Sequence, residues 1–322
     1  MLHGRRVAVA GVSVLLAIAS AACSSSKSSS ADAPATTPTA VPAAPTPPAP
    51  DCGDPVASFA PDGARPAPGR MLAGSYMEKI QQRGRLIAGV SADTLLFGFR
   101  NPFNGNLEGF DIDMVRRMAD EILGDPNKVE FRVMTYAQRI PALQNGTVDI
   151  VADVMTINCT RWGQISFSSQ YFDAGQKVLV RSDSTANGIG DLNGKKMCVA
   201  KGSTNFDNMK NYPKVIPVPV DDISDCMVLF QQGKVDSVTG DDTVLAGFVV
   251  QDPYAKIVGA AITSEPYGLG VAKSHPEFVR FVNSVLEDVR ADGTWADWYI
   301  KDLKPKNGKA PAPPPAKYGR PS

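Results

Sequence analysis

The residues that could do chemistry in this sequence are arginines, carboxylates, hydroxyls and aromatic rings, because histidine is nearly absent. The 322-residue chain has only two histidines, His3 and His275. A Ser-His-Asp triad, a zinc site with several histidines and a haem held by a histidine pair are therefore nearly excluded by number alone. No nucleophile is placed beside a base, so the sequence predicts no catalytic residue.

Polar groups that suit anion binding stand at the ends of predicted strands. Arg161 follows one strand and carries a rigid guanidinium fork that matches a carboxylate. Ser203 and Thr204 open a helix, where hydroxyls and N–H groups form a ready anion site. Asp242 stands where a strand ends and a helix begins, a position at which helix capping is natural. Arg161 and the 203–205 loop therefore favour recognition of a carboxylate.

Alternating strands and helices must position these groups. The pattern begins with a helix over 76–83 and a buried strand over 85–90, and it continues to a helix over 277–290. Such alternation indicates parallel sheets with helices on both faces. The stretch 143–150 (LQNGTVDI) recurs at 230–237 (FQQGKVDS), so two similar α/β units lie in one chain. Ligands of open α/β sheets bind beyond the carboxyl ends of the strands, so two facing units predict a cleft.

Composition and charge limit the classes of partner. The chain is 43% hydrophobic and 20% charged, which is ordinary for a globular protein and enough for two domains. Lys plus Arg and Asp plus Glu both number 33, so the formal net charge is zero. Because no basic excess is available to neutralise a phosphate backbone, nucleic acid is not expected as a partner.

The first 22 residues have the pattern of a secretory signal peptide. Two arginines precede an apolar run over 7–19, which is shorter than the ~20 residues of a bilayer span. Small residues then lead into Cys23, as in a bacterial lipobox, although Ser20 replaces the usual leucine. We expect residues 1–22 to be removed and Cys23 to be lipidated. The alternative is an ordinary signal peptide and an incidental cysteine.

Proline-rich segments flank the predicted globular part. Residues 24–50 contain seven prolines and six serines, and such a segment cannot bury enough apolar surface to fold. We expect 23–69 to comprise the lipidated cysteine and an extended tether. The Pro- and Lys-rich stretch 303–322 is expected to be a disordered tail, with contact to an anionic wall polymer or lipid as the alternative.

Five motifs in order resemble the family 3 extracellular solute-binding proteins, the polar-amino-acid receptors of ABC importers. They are GFDIDM at 109–114, IPALQNGTVDI at 140–150, TINCTR at 156–161 followed by ISFS at 165–168 and YF at 171–172, KGSTN at 201–205, and GDDT at 240–243. The ordered resemblance spans roughly 75–302 and is of the glutamine- and glutamate-binding lipoprotein type. A lipobox and tether fit receptors of bacteria without a periplasm.

The resemblance implies an α/β fold, the two-lobed type II fold of periplasmic binding proteins. Two extended crossings join the lobes, and the hinge closes on a ligand held in the cleft. Lobe 1 would comprise 70–180 plus 266–302, and lobe 2 would comprise 184–262. The crossings would lie near 178–181 and 264–268.

The resemblance also implies that the cleft binds an α-amino acid, whose two charges each need a partner in a dry site. Arg161, assisted by the Thr156 hydroxyl, would hold the carboxylate. Asp242 would hold the ammonium, and its neighbour Asp241 is the alternative for that role.

Other positions of the family's site map onto aromatic and backbone groups. Tyr136 would stack on the ligand, and Phe97 or Phe99 would form the opposite wall, although core packing is the alternative for both phenylalanines. Asp153 would offer its main-chain carbonyl to the ammonium, and its side chain would add charge.

The choice of ligand side chain would fall to a lysine and a donor-rich loop. Lys201 stands beside Ser203 and Thr204, and Arg100 is a further candidate. These donors favour a side chain that accepts hydrogen bonds, so we expect glutamate, aspartate, glutamine or asparagine. No cofactor and no metal are expected.

Four cysteines besides Cys23 agree with export. An even number predicts two disulfides, with three possible connectivities. Cys198–Cys226 is favoured because both residues fall in the stretch assigned to lobe 2, which leaves Cys52–Cys159.

The resemblance implies a location and partners. The protein would be an extracytoplasmic lipoprotein on the outer face of the cell membrane, and it would pass its amino acid to the permease and ATPase subunits of an ABC importer. A sensor that signals through a membrane partner is the alternative with the same binding chemistry. A dehydratase-like enzyme on the same fold is the more distant alternative.

Overall fold

The computed structural model describes residues 51–304 and 307–321. The predicted signal peptide, Cys23 and residues 24–50 of the tether lie outside the described residues. Among the described helices, none is both long enough and apolar enough to cross a membrane.

Strands and helices alternate along the chain as the sequence predicts. The strands are β1 (Leu86–Val90), β2 (Asp93–Thr94), β3 (Gly98–Arg100), β4 (Leu107–Glu108), β5 (Val129–Val133), β6 (Ile150–Ala152), β7 (Ser166–Phe167), β8 (Phe172–Ala174), β9 (Gln176–Arg181), β10 (Lys196–Ala200), β11 (Ile216–Val220), β12 (Ser237–Asp241), β13 (Ala255–Val258), β14 (Glu265–Tyr267) and β15 (Gly270–Val271). The helices are α1 (Tyr76–Arg83), α2 (Phe110–Leu123), α3 (Arg139–Gln144), α4 (Cys159–Trp162), α5 (Thr204–Asn208), α6 (Ile223–Gln231), α7 (Asp242–Gln251), α8 (Pro276–Ala291) and α9 (Thr294–Trp298).

Two five-stranded sheets with the same topology form the two lobes. The order is β5-β1-β6-β15-β7 in lobe 1 and β11-β10-β12-β9-β13 in lobe 2. The repeated segments 143–150 and 230–237 lead into the central strands β6 and β12. The first three strands of each sheet are parallel, but the fourth runs antiparallel to both of its neighbours. This departs from the predicted parallel sheets because β9 and β15 are entered from the crossings and not from a helical crossover.

The crossings pair with each other as a two-stranded ribbon of β8 and β14. The second crossing, Glu265–Tyr267, falls within the predicted 264–268. The first, Phe172–Ala174, comes earlier than the predicted 178–181, because β9 pairs with β12 and β13 and therefore belongs to lobe 2. Lobe 1 thus ends before residue 180, and lobe 2 begins with β9.

Both ends of the described chain differ from the expected tether and tail. Ser58 is buried within the segment assigned to the tether, and its hydroxyl donates to the Phe167 carbonyl over 2.7 Å. Tyr318 forms a bridge with Ser58, and Arg290 Nε donates to the Pro314 carbonyl over 3.0 Å. Residues 307–321 therefore lie against lobe 1. Composition suggested disorder because it does not register the few side chains that anchor a proline-rich segment.

Both predicted disulfides are present with the favoured pairing. Cys198–Cys226 joins β10 to α6 inside lobe 2, across 28 positions of sequence. Cys52–Cys159 spans 107 positions and joins the first described residues to α4. Each bond connects a helix to a part of the fold distant in sequence.

Candidate functional site

A small cavity lies between the lobes, at the carboxyl ends of the strands. Lobe 1 contributes Tyr136, Arg139, Val154, Thr156 and Arg161, and lobe 2 contributes Ala200, Ser203, Thr204, Asn205, Ile223, Thr239, Gly240, Asp241 and Val244. The two repeated α/β units thus produce the predicted cleft, because each sheet presents the same edge to it.

Arg161 points into the cavity from the one-turn helix α4. The Asn158 side chain caps this turn by accepting the Arg161 N–H over 2.9 Å. The buried guanidinium donates to the carbonyls of Thr156 (2.7 Å) and Gly202 (3.1 Å). Burial, and then the nearby Arg139 charge, lower the pKa of Arg161 to about 9, so it is still cationic at neutral pH.

Arg139 is a second buried arginine in the cavity wall, and the sequence interpretation missed it. It donates to the carbonyls of Asp153 (2.6 Å), Tyr136 (3.1 Å) and Gly202 (3.3 Å), and its guanidinium lies 4.3 Å from the centre of the Tyr136 ring. The sequence could have indicated Arg139, because it follows the predicted aromatic Tyr136 by three positions and residues three apart on a helical turn are neighbours.

The carboxylate in the cavity belongs to Asp241, not to the predicted Asp242. Asp241 ends β12, is buried, and accepts from Asn205 Nδ2 (2.8 Å) and the Tyr267 hydroxyl (2.7 Å). Asp242 accepts the Gly175 N–H at 3.2 Å and pairs with Lys177 at 3.8 Å, with 34% of its side chain exposed. Neighbouring residues at a strand end point to opposite sides, so only one of them can enter the cavity.

Two residues of the second crossing support Asp241 and were not identified from sequence. Burial and the charge of Glu265 raise the pKa of Asp241 above its ordinary value. Glu265 is itself buried and accepts the Thr204 hydroxyl over 2.6 Å. Tyr267, the second, donates to Asp241. Glu265 and Tyr267 are alternate residues of β14 and therefore lie on the same face of the strand. This spacing is the feature of the sequence from which both could have been identified.

Besides Arg161, four predicted residues line the cavity. Tyr136 and Thr156 come from lobe 1, and the hydroxyls of Thr156 and Thr204 lie 3.3 Å apart across the lobes. Ser203 caps α5 by accepting the Phe206 N–H, and it donates to the Ala200 carbonyl over 2.6 Å. Its hydroxyl therefore has a structural role at the cavity edge.

Two predicted residues lie elsewhere. Phe97 is fully buried in lobe 1 and packs against Phe172 and Tyr267, with ring centres 5.0 and 5.9 Å away. It is a core residue, the alternative considered from sequence. Lys201 points outward from the turn after β10 and pairs with Asp221 at 3.0 Å on the surface. Lys201 therefore does not line the cavity, contrary to the expected position beside the ligand side chain.

The two other expected candidates also lie outside the cavity lining. Phe99 is partly buried and lines a surface groove that is separate from the cavity. The Arg100 guanidinium donates to the Gly105 carbonyl over 2.8 Å at the surface. The alternation of side chains in this short strand directs neither residue to the cavity.

Asp153 is buried directly before the cavity-lining Val154 but does not itself line the cavity. Its carboxylate oxygens have no hydrogen-bond partner among the described residues, and its carbonyl accepts from Arg139. Burial raises the pKa of Asp153 to about 7, and Arg139 opposes that shift.

Val154 has φ 40°, a conformation that the Asp111 carboxylate holds by accepting the Val154 N–H over 2.8 Å.

Gly202 of lobe 2 lies in close contact with lobe 1. It has φ 72°, and a Cβ atom there would lie 2.6 Å from the Ala137 backbone. Its carbonyl accepts from both Arg139 and Arg161. A glycine is therefore required for this contact, because a side chain would separate the lobes.

The site contains no evident metal centre in the part of the chain that the structure describes, where no three His, Cys, Asp or Glu side chains cluster suitably. The arrangement instead offers two cations, one carboxylate and several hydroxyls and N–H groups around a small cavity. Such a set suits recognition of a small charged molecule.

Comparison with known proteins agrees with this geometry. The family described as bacterial extracellular solute-binding proteins, family 3, matches residues 86–303. The chain belongs to this family. The glutamine-binding protein of Geobacillus stearothermophilus is 39% identical to this chain over 206 residues, which cover 63% of this chain and 79% of that protein.

Two further similarities extend across most of both chains. The ABC transporter glutamine-binding protein GlnH of Bacillus subtilis (strain 168) is 34% identical over 227 residues, 70% of this chain and 83% of that one. The crystal structure of the P235GK mutant of ArgBP from T. maritima superposes with a TM-score of 0.67 at 32% identity, covering 71% of this family 3 chain and 99% of that chain. The predicted two-lobed type II fold is thus confirmed.

Proposed function

We propose that the protein captures a polar amino acid outside the cytoplasm and delivers it to an ABC importer. One observation carries the proposal: Arg161 and Asp241 line the same cavity from opposite lobes, and neither forms a salt bridge within the described ranges. Buried charges are costly without partners. A ligand with both a carboxylate and an ammonium supplies one to each residue.

The charge balance of the cavity favours an acidic side chain. Among the residues that line the cavity, Arg139 and Arg161 outnumber Asp241, and the buried carboxyl groups of Glu265 and Asp153 do not line it, so a second ligand carboxylate would meet the two arginines directly. We therefore rank glutamate and aspartate before glutamine and asparagine. The names of the relatives, which include glutamine- and glutamate-binding proteins, support a ligand from this group.

Closure of the two lobes would enclose the ligand. Arg139 and Arg161 of lobe 1 already meet the Gly202 carbonyl of lobe 2, and the β8–β14 ribbon provides the hinge. The pattern of a signal peptide and lipobox supports anchoring at Cys23 on the outer membrane face, with a permease and an ATPase as partners. Labelled palmitate should enter the parent protein and not Cys23→Ala.

Titration calorimetry tests the ligand and the residue together. The panel contains glutamate, aspartate, glutamine, asparagine, arginine and a sugar, and chromatography afterwards shows whether the ligand is unchanged. We expect tight binding of the acidic amino acids without turnover. Arg161→Ala should cost about 3–5 kcal/mol of binding free energy, because a carboxylate is left buried and unpaired.

Arg132→Ala is the matched control, because Arg132 is a partly exposed arginine of β5 that pairs with Glu130 and does not line the cavity. It should bind like the parent. Preference for the sugar or for arginine, with no binding of the four polar amino acids, would contradict the proposed ligand. Turnover of the ligand would indicate an enzyme.

A further inference from the structure

We propose that two terminal segments, 52–60 and 314–320, form a clasp that positions Arg161 for its ligand. The family match covers 86–303, so both segments of the clasp lie outside it. The inference rests on the role of Arg161 in the proposed function. It adds residues far from the cavity that set the orientation of the guanidinium.

The helix that carries Arg161 needs support from outside. It is a single turn, Cys159–Trp162, and a helix this short is not stable by itself. Arg161 faces the cavity from this turn, so its direction depends on what holds the neighbouring residues. The clasp contacts both the first and the last residue of the turn.

The first segment of the clasp holds Cys159 and Trp162 together. The Cys52–Cys159 disulfide fixes the start of the turn, and Trp162 Nε1 donates to the Pro55 carbonyl over 2.7 Å at its end. The Phe59 ring meets the Trp162 ring edge-on, with centres 5.9 Å apart. Covalent, hydrogen-bond and aromatic contacts thus converge on one helical turn.

The second segment covers Trp162 and fastens the first. The Arg320 guanidinium lies 3.8 Å from the centre of the Trp162 ring. Its Nε donates to the Ala57 carbonyl (2.8 Å), and a terminal nitrogen donates to the Asp54 carbonyl (3.0 Å). Arg320 therefore joins the two segments of the clasp on the outer side of the helix that bears Arg161.

A small rotation of this turn would alter binding through the guanidinium. A planar fork makes two hydrogen bonds to a carboxylate only in the correct orientation. All α-amino acids present the same carboxylate. Loss of the clasp should therefore weaken the binding of all amino-acid ligands by the same factor and leave the order of their affinities unchanged.

Arg320→Ala in the full-length protein is the principal test. Calorimetry with the amino-acid panel should show roughly threefold to tenfold weaker binding of each ligand, from loss of a cation–π contact and two hydrogen bonds. Lys317→Ala is the matched control, because it removes an exposed ion pair of 3.2 Å to Asp54 between the same two segments and leaves the contacts to Trp162 in place. It should bind like the parent, whereas parent-like binding by Arg320→Ala would overturn the inference.

An Arg161→Lys background separates positioning from general stability. A lysine is a point charge and needs no planar alignment, so Arg320→Ala should there weaken binding by less than about twofold. An equal loss in both backgrounds would overturn the positioning role.

Hydrogen exchange distinguishes failure of the clasp from failure of the proposed function. Amides of 159–163 should exchange faster in Arg320→Ala than in Lys317→Ala, whether or not amino acids bind. Equal exchange would overturn the clasp. A parent protein that binds no amino acid but shows the exchange difference would contradict only the proposed function, while the clasp would still be supported as the support of this helix.

Discussion

Arg161 and Asp241 face one cavity from opposite lobes, and each is held by neutral groups. The guanidinium donates to two carbonyls, and the carboxylate accepts from an amide and a phenol. Hydrogen bonds of this kind orient a buried charge without neutralising it. Under the proposed function, a ligand that carries both charges would supply the partner that each residue lacks.

The structure places Asp241 in the cavity and not the predicted Asp242, and substitution of each aspartate tests which of them binds the ligand ammonium. Asp241→Asn should weaken binding of glutamate by about 100-fold, because the ligand ammonium loses its charged partner. Asp242→Asn should change the affinity by less than about threefold, since Asp242 pairs with Lys177 outside the cavity. Calorimetry on both variants decides the matter, and the reverse order of effects would assign the ammonium to Asp242.

Binding should depend on pH through Asp241. Burial and Glu265 raise the pKa of Asp241 to about 7, and an ammonium ligand requires its ionised form. Affinity should therefore rise with pH up to about neutrality and fall by roughly tenfold per pH unit below it. Calorimetry between acidic and mildly alkaline pH measures this profile. Asp241→Asn should flatten it, and a flat profile in the parent would refute the assignment.

The stability of the ligand-free protein should follow the opposite trend. Because the folded pKa values of Asp153 and Asp241 are raised above those of the unfolded chain, the folded state binds more protons over this range. Their contribution to the free energy of unfolding is complete below the unfolded pKa of about 4 and is lost as the pH rises through about 7. Denaturant unfolding at several pH values should show this loss reduced in Asp153→Asn.

Arg139 should determine the preference between acid and amide. Arg139→Gln keeps a hydrogen-bond donor but removes the positive charge, so the ratio of glutamate to glutamine affinity should fall by at least about tenfold. Calorimetry with both amino acids gives this ratio directly. Arg132→Gln, on the surface of β5, should leave it unchanged. A ratio unaffected in Arg139→Gln would remove Arg139 from the selection of the side chain.

A side chain at position 202 should prevent closure of the lobes. Gly202→Ala places a Cβ 2.6 Å from the Ala137 backbone, so the lobes must separate and all ligands should bind at least about tenfold more weakly. Gly233→Ala has a similar φ, 67°, and no atom within 4 Å of its Cβ, so it carries the backbone cost alone. Small-angle scattering should show an opened form only for Gly202→Ala. Equal affinities in the two variants would contradict the role in closure.

The Cys198–Cys226 disulfide should stabilise lobe 2. Replacing both cysteines by alanine should reduce the free energy of unfolding by roughly 3 kcal/mol, because the unfolded chain regains the freedom of the closed loop. Urea denaturation measures the change, and mass spectrometry of the parent confirms the bond. A loss below about 1 kcal/mol would show that the bond contributes little to the lobe.

The sequence by itself determined the local elements and the family. Helix α1 forms over the predicted residues because Ser75 caps its start and Gly84, with φ 79°, ends it. The repeat at 143–150 and 230–237 predicted two similar α/β units, and the resemblance of the ordered motifs to a known family predicted the two-lobed fold. These features depend on neighbours in the chain, which a sequence displays directly.

Only the tertiary structure decided which charges enter the cavity. Asp241 and Asp242 are adjacent in sequence, and the register of β12 directs one inward and the other to Lys177. The predicted Lys201 points to the surface, whereas Arg139, which the sequence interpretation missed, lines the cavity, because the packing of the lobes sets the direction of each side chain. The clasp on Trp162 joins segments more than 260 positions apart. Side-chain direction and long-range contact depend on how the lobes pack, which local sequence does not encode.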